Sequence, residues 1–164
     1  MADELVSSIH DSPIGGLTLV ASEAGLRAVL WPADDEARVP SVAGARSGRH
    51  AVLDTTMAQL DEYFAGRRRE FDLPLDPVGT EFQRSAWNVL RTIPYGATMS
   101  YGEQAAALGD AKKARAVGSA NGRNPLSIVV PCHRVIGTSG KLTGFAGGIE
   151  AKRYLLELER RNAT

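Results

Sequence analysis

Residues 100–123 read SYGEQAAALGDAKKARAVGSANGR, and their punctuation decides how the second half of the chain folds. Ser100 and Glu103 make an S-x-x-E capping box, which opens a short helix that stops at Leu108-Gly109. Asp110 caps another helix, running from about Ala111 to Asn121. Two short helices joined through a glycine-containing turn have helix-turn-helix dimensions. The second helix is rich in alanine, glycine and serine, which are poor material for a core but let something bulky approach the backbone. With Lys112, Lys113, Arg115 and Arg123 nearby, a phosphate backbone fits that description. A tightly packed neighbouring helix fits it equally well.

Upstream, Thr80 caps a helix reaching about Thr92, with Phe82, Ala86, Val89, Leu90 and Ile93 on its apolar face. Downstream, a last helix from Glu150 to about Arg161 turns Ala151, Tyr154, Leu155 and Leu158 inward. The stretch FDLPLDPVGT at 71–80 carries two prolines and a glycine, and places a boundary between a domain at 1–76 and a domain at 77–164. In the first domain LVSSIH, GLTLVAS and LRAVLW read as short strands separated by Gly15-Gly16 and Glu23-Ala24-Gly25, an antiparallel meander. Residues 32–50 lack periodicity and read as an exposed, mobile loop. In AVLDTTMAQLDEYFAG (51–66), Leu53, Met57, Leu60 and Phe64 share a stripe, Gly66 caps the C-terminus, and the RRRE that follows is a solvated exit. The fold class is α+β: a small antiparallel-sheet domain followed by a mostly helical one with a helix-turn-helix.

At 43% hydrophobic residues the chain can bury a core. A single cysteine excludes an internal disulfide and a cysteine-cluster zinc site, and points to a reducing compartment. MADELVSSIH has acids where a secretion signal needs a basic segment, and no apolar run approaches the ~20 residues that cross a bilayer. The expectation is a cytoplasmic protein with no membrane partner. The net charge of zero conceals an asymmetry: residues 1–79 hold 7 Lys/Arg against 13 Asp/Glu, and residues 80–164 hold 12 against 6. Either this is scatter on two solvated surfaces, or the second half faces an anion such as nucleic acid.

The one cysteine falls in LSIVVPCHRVI (126–136). A lone buried cysteine is ordinarily a small hydrophobe. Here, however, a β-branched run reads as a buried strand that Pro131 ends in a rigid turn, a usual place to display a side chain at a cleft. Neighbouring imidazole or cationic groups raise the thiolate fraction. His133 reaches the sulfur only if the backbone turns there or a water bridges them, and Arg134 reads as a buried anchor for nearby carbonyls.

The run IPYGATMSYGEQAAALGDAKKARAVGSANGRNPLSIVVPCHRVIG closely resembles the methylated-DNA–protein-cysteine methyltransferases, or O6-alkylguanine-DNA alkyltransferases. The likeness continues through SGKLTGFAGGIEAKRYLLELE and upstream into YFAGRRREFDLPLDPVGTEFQRSAW, covering about residues 60–160; P-C-H-R-V-I with N-P seven residues before its proline is its most specific part. The resemblance implies a ribonuclease-H-like first domain and direct repair of double-stranded DNA. An alkyl group on O6-alkylguanine, or O4-alkylthymine, passes irreversibly to Cys132 after the base is flipped out of the duplex. His133 would take the thiol proton through a water and Glu159 would hold the imidazole, with Glu157 the poorer candidate. Tyr101 would hydrogen-bond the departing guanine, and Asn124 would order the turn around the cysteine. The carbonyls of Cys132 and Val135 would read the guanine amino group. Phe145 would wall the pocket, with the amide of Ala146 and the backbone of Gly147 against the base. Phe145 and Ala146 stand where relatives often carry tyrosine and serine. Arg115 would fill the vacated stack, while Tyr101, Ala116, Gly118, Ser119 and Ala120 line the minor groove. The resemblance implies no cofactor and no metal, and a monomer that can cluster on DNA.

Two other classes remain open from the sequence. One is a non-catalytic helix-turn-helix regulator, which would survive Cys132→Ala. The other is a Cys-His hydrolase, which would turn over repeatedly without DNA. The family's non-enzymatic lesion-recognition branch lacks the cysteine that this chain keeps.

Overall fold

The computed structural model describes residues 4–34, 36–140, 142 and 145–163. The meander forms as β1 (Val6–Ser12), β2 (Gly15–Ala21) and β3 (Leu26–Leu30), paired antiparallel. The 32–50 segment is more ordered than its composition suggested. Short 3-10 turns at Glu36–Arg38 and Pro40–Val42 lead to β4 (Arg46–Ser47), which pairs parallel to β1, so the sheet is mixed, in the order β3-β2-β1-β4. The reason is apolar. Val39 seals Leu5, Val20 and Ala28 on the sheet face turned away from the main core, which would otherwise meet water.

The other face, through Leu17, Leu19 and Ala21, packs on α1 (Ala51–Phe64). The inward stripe of α1 is Leu53, Thr56, Gln59, Leu60 and Tyr63, whereas Met57 and Phe64 lie at its half-buried edge. The proline-bearing segment after α1 is stitched beside β3 by Leu26 N–H to Pro74 O (2.8 Å) and Asp76 N–H to Leu26 O (2.8 Å). One hydrophobic core then runs through both halves, from Leu17 and Tyr63 to Trp87, Leu126 and Leu155.

The second half contains α2 (Glu81–Leu90), β5 (Met99–Ser100), α3 (Tyr101–Ala107), α4 (Ala114–Gly122), β6 (Val135–Ile136) and α5 (Ile149–Asn162). The capping boxes at Thr80/Gln83 and Ser100/Glu103 both close. Asp110 caps a 3-10 turn (Ala111–Lys113), which leads into α4. Among the described residues no helix is long and apolar enough to cross a membrane.

Helices this poor in bulky side chains are held by a polar lock. Gln104 and Asn121 exchange amide hydrogen bonds of 2.9 and 2.8 Å between α3 and α4. Gln104 Nε2 also donates to Ala86 O (3.1 Å), and Trp87 Nε1 donates to Ala120 O (2.8 Å), both on α2 or from it. The packed-helix reading holds for one face of α4, and the other face is open to solvent. Val117, Ala120 and Asn121 pack inward, while Arg115, Ala116 and Ser119 are exposed and Gly118 is half-exposed. Ala120 corrects the sequence expectation: at 3% exposure its side chain is not on the outer surface. Gln104→Leu should strand the Asn121 amide and cost about 1–3 kcal/mol in urea unfolding, with part recovered in the Gln104→Leu/Asn121→Leu double variant.

Candidate active site

Cys132 is not at the end of a strand. Residues 126–131 form successive tight turns, joined to the sheet by a parallel bridge from Leu126 to Val29. The side chain of Asn124 diverts the backbone. Its Oδ1 accepts from Leu126 N–H (3.0 Å) and its Nδ2 donates to Val130 O (2.9 Å), taking groups a strand would offer to its neighbours. Within the clamp, Val129 N–H bonds Ser127 O (2.8 Å) around Ile128, whose φ is +73°. A β-branched residue there is strained, at a cost of about 1–3 kcal/mol. Cys132 N–H then bonds Val130 O (2.8 Å) around Pro131 (φ −82°, ψ 68°), an inverse γ-turn that suits the fixed proline φ. Cys132–Arg134 follows as one 3-10 turn, so the cysteine and the histidine do not point to opposite faces as they would on a strand.

The turn delivers His133 and Arg134 to a buried carboxylate on α5. Glu159 is 1% exposed. Its Oε2 accepts from His133 Nε2 (2.7 Å), Tyr63 Oη (2.6 Å) and an Arg134 terminal nitrogen (3.0 Å), and its Oε1 accepts from Arg134 Nε (2.7 Å). Arg134 also donates to Ile93 O (2.7 Å), the carbonyl-anchoring part expected of it. Burial alone would raise the Glu159 pKa, but the hydrogen bonds and charges of His133 and Arg134 outweigh it and hold the carboxyl well below the usual range. Burial lowers the His133 pKa against the upward pull of Glu159. An ionised Glu159 therefore fixes the neutral tautomer with the proton on Nε2. Nδ1, buried and without a hydrogen-bond partner among the described residues, keeps its lone pair.

Cys132 is 8% exposed and lines a cavity of about 30 Å³ with Tyr101, Gly118, Phe145, Ala146 and Lys152. Burial pushes the thiol pKa up, opposed by hydrogen bonding from Asn124 and by the charges of Arg38 and Lys152. In this closed cavity desolvation prevails over the cations, contrary to the expectation of a raised thiolate fraction. That space holds about two waters and is too small for a purine, which would enter only after the walls part. The Tyr101 ring covers Gly118, where a Cβ would stand 3.6 Å from it. Phe145 packs edge-on against Trp31 (5.4 Å between centroids), and a Cβ on Gly147 would strike the Trp31 indole at 2.5 Å. The Val135 carbonyl already accepts from Lys152 Nζ (2.7 Å), and the Cys132 carbonyl accepts from Val135 N–H, which leaves each one lone pair.

Sequence reasoning missed Arg38, Tyr63, Trp31 and Lys152. Arg38 is paired with Asp34 (2.6 Å) and donates to Asn124 O (2.8 Å), reaching the cavity from the segment read as a loose loop. Tyr63 and Lys152 occupy inward helical positions, so a polar residue on an apolar stripe was the available signal.

Fold and site define an α+β protein that presents a helix-turn-helix beside a buried Cys-His-Glu constellation. The family model for the 6-O-methylguanine DNA methyltransferase DNA-binding domain matches residues 81–161, and that for its ribonuclease-like domain matches residues 5–77. The chain belongs to the 6-O-methylguanine DNA methyltransferase family. It is 52% identical over 153 residues to a methylated-DNA–protein-cysteine methyltransferase of Mycolicibacterium paratuberculosis (93% of this chain, 91% of the relative). It is 48% identical to that of Methanosarcina acetivorans (93% and 96%). The crystal structure of Mycobacterium tuberculosis OGT in complex with DNA superposes with a TM-score of 0.87 at 46% identity, covering 97% of this chain and 94% of that one.

Glu159→Gln should leave Arg134 buried without its charge partner and lower stability at neutral pH by about 3–5 kcal/mol in urea unfolding. The folded-state pKa of Glu159 is depressed, so its stabilisation is complete above the unfolded carboxyl value near 4.3 and fades as pH falls toward the folded value. The variant should lose that acid-side dependence.

Proposed function

We propose that the chain repairs double-stranded DNA directly, moving the alkyl group of O6-alkylguanine, and of O4-alkylthymine, to its own Cys132. Support comes chiefly from one arrangement: an imidazole held through Nε2 by a buried carboxylate, with Nδ1 unpartnered, on the residue next to the only cysteine. The thiol proton passes to Nδ1 through a bridging water, the sulfur attacks the alkyl carbon, and the carbon–oxygen bond breaks as the carbon–sulfur bond forms. Guanine leaves and regains a proton at its ring nitrogen, with the Tyr101 hydroxyl hydrogen-bonding it as charge develops. Asn124 keeps the turn in place, and the second lone pairs of the Cys132 and Val135 carbonyls read the amino group. Phe145, Ala146 and Gly147 belong to the wall that moves to admit the base.

The product is a thioether. Unlike an acyl thioester it offers water no carbonyl to attack, so each molecule acts once. On α4 the exposed Arg115 fills the vacated stack, while Ala116, Gly118 and Ser119 give the minor groove a close, nearly featureless surface and phosphate contacts supply most of the affinity. Ala120 contributes through packing rather than contact. The protein works wherever the genome is, which in a cell without a nucleus is the cytoplasm.

Incubation with a duplex carrying O6-methylguanine should add one methyl to the peptide containing Cys132 and saturate at one per protein, read by mass spectrometry. Repaired DNA with an unmodified peptide would exclude Cys132 as acceptor. Arg115→Ala should slow repair much more than it weakens duplex binding; a collapse of binding with normal repair per bound molecule would reassign that residue.

A further inference from the structure

Tyr63 lies on α1, in the half of the chain that carries no expected chemistry, yet it is fully buried and its hydroxyl donates 2.6 Å to Glu159 Oε2. That oxygen also receives the Nε2 proton of His133. The phenol is not a mobile donor. Its ring is wedged edge-on against Phe64 (5.3 Å) and Tyr95 (6.3 Å) and tilted against Phe71 (5.5 Å). Three hydrogen bonds to one carboxylate oxygen, from His133, Tyr63 and a longer one from Arg134 (3.0 Å), compete for the same electron density.

We propose that Tyr63 is a positioning residue of the alkyl transfer, setting through Glu159 how basic the His133 imidazole is. The inference rests on the repair reading for its use, though not for its geometry. A general base must be unprotonated before it can accept the thiol proton. Glu159 both orients the imidazole and, by its charge, favours imidazolium. By drawing on the same oxygen, Tyr63 restrains the second effect, and by fixing that oxygen in place it keeps the first in register. The groups that face the relay are Glu159 and Lys152 from α5, Arg134 beside it in the chain, Tyr63 from α1, Tyr95 from the turn after α2, and Cys132. Of these, Tyr63 is the neutral side chain whose hydroxyl bonds the carboxylate directly. Burial and the adjoining Glu159 raise its own pKa well above the ordinary phenol value, so it remains a donor throughout the working range. The first half of the chain thereby takes part in the chemistry rather than only supporting it.

The test has two arms. In the first, the imidazole of His133 is titrated by NMR in the protein without DNA, for the native chain, for Tyr63→Phe, and for 3-fluorotyrosine introduced at position 63. Removing the donor should raise the His133 midpoint, and the more acidic fluorophenol, a stronger donor, should lower it. In the second, single-turnover methyl transfer from an O6-methylguanine duplex is followed against pH. The acid limb should move with the titration: Tyr63→Phe should carry it to higher pH, so that transfer on the acid side of the native midpoint falls about three- to tenfold, with duplex affinity unchanged. A purely structural role would lower stability and leave both midpoints in place, and that result overturns the proposal. If Tyr63→Phe does not fold, the fluorotyrosine protein decides alone. If the native protein transfers no methyl group, the repair reading fails while the titration still judges Tyr63.

Discussion

A carboxylate out of reach of water is among the costliest groups a small protein can keep, and Glu159 is retained because every surrounding element donates to it. Tyr63 comes from α1, Arg134 and His133 from the turn after the cysteine, and Glu159 itself from the last helix. Arg134 ties in the turn after α2 through Ile93 O. His133 and Arg134 pair the charge from within the second half, and Tyr63 adds a hydrogen bond from the first, so both halves of the chain contribute to the carboxylate's surroundings. The same constraint determines the imidazole tautomer. Structure and chemistry depend on one set of hydrogen bonds.

The second constraint is the backbone clamp of Asn124. It holds Ile128 in a strained conformation and ends at Pro131, after which Cys132 lines the cavity while His133 and Arg134 both meet Glu159. Strain of this kind persists only where the surroundings over-determine it: here the buried Ile128 side chain on one side and the amide hydrogen bonds on the other. The clamp fixes the cysteine, while the wall opposite it is built differently. Phe145 and Gly147 rest on Trp31 by ring contact, and contacts of that sort can part to admit a base and re-form. A rigid nucleophile facing a wall held by such contacts is a reasonable arrangement for a reagent used once.

Much of this was legible in the residues. Capping boxes and helical stripes are local signals, so α2, α3 and α5 and the helix-turn-helix could be read directly, whereas Glu159 came from the family resemblance, with which its place on α5 is compatible. The readings that failed depended on distant partners. VVPC looked like a strand because β-branched residues favour strands, but Asn124, several residues upstream, takes the hydrogen bonds a strand would need. Segment 32–50 looked loose because its few apolar residues have no period, although Val39 packs on Leu5, Val20 and Ala28 of one sheet face. Tyr63 fell outside the stripe drawn through Leu53, Met57, Leu60 and Phe64. Local spacing can flag a polar residue facing inward but not where its hydroxyl ends, and its partner lies 96 residues away.

The chemistry of Cys132 depends on Glu159 holding His133 in one tautomer. Nitrogen NMR of the ¹⁵N-labelled protein at neutral pH reads this directly. A protonated, pyrrole-like Nε2 and a bare, pyridine-like Nδ1 at His133 are the result predicted here. A proton on Nδ1, or equal exchange between the two nitrogens, would contradict it, since no lone pair would then be held ready for the thiol.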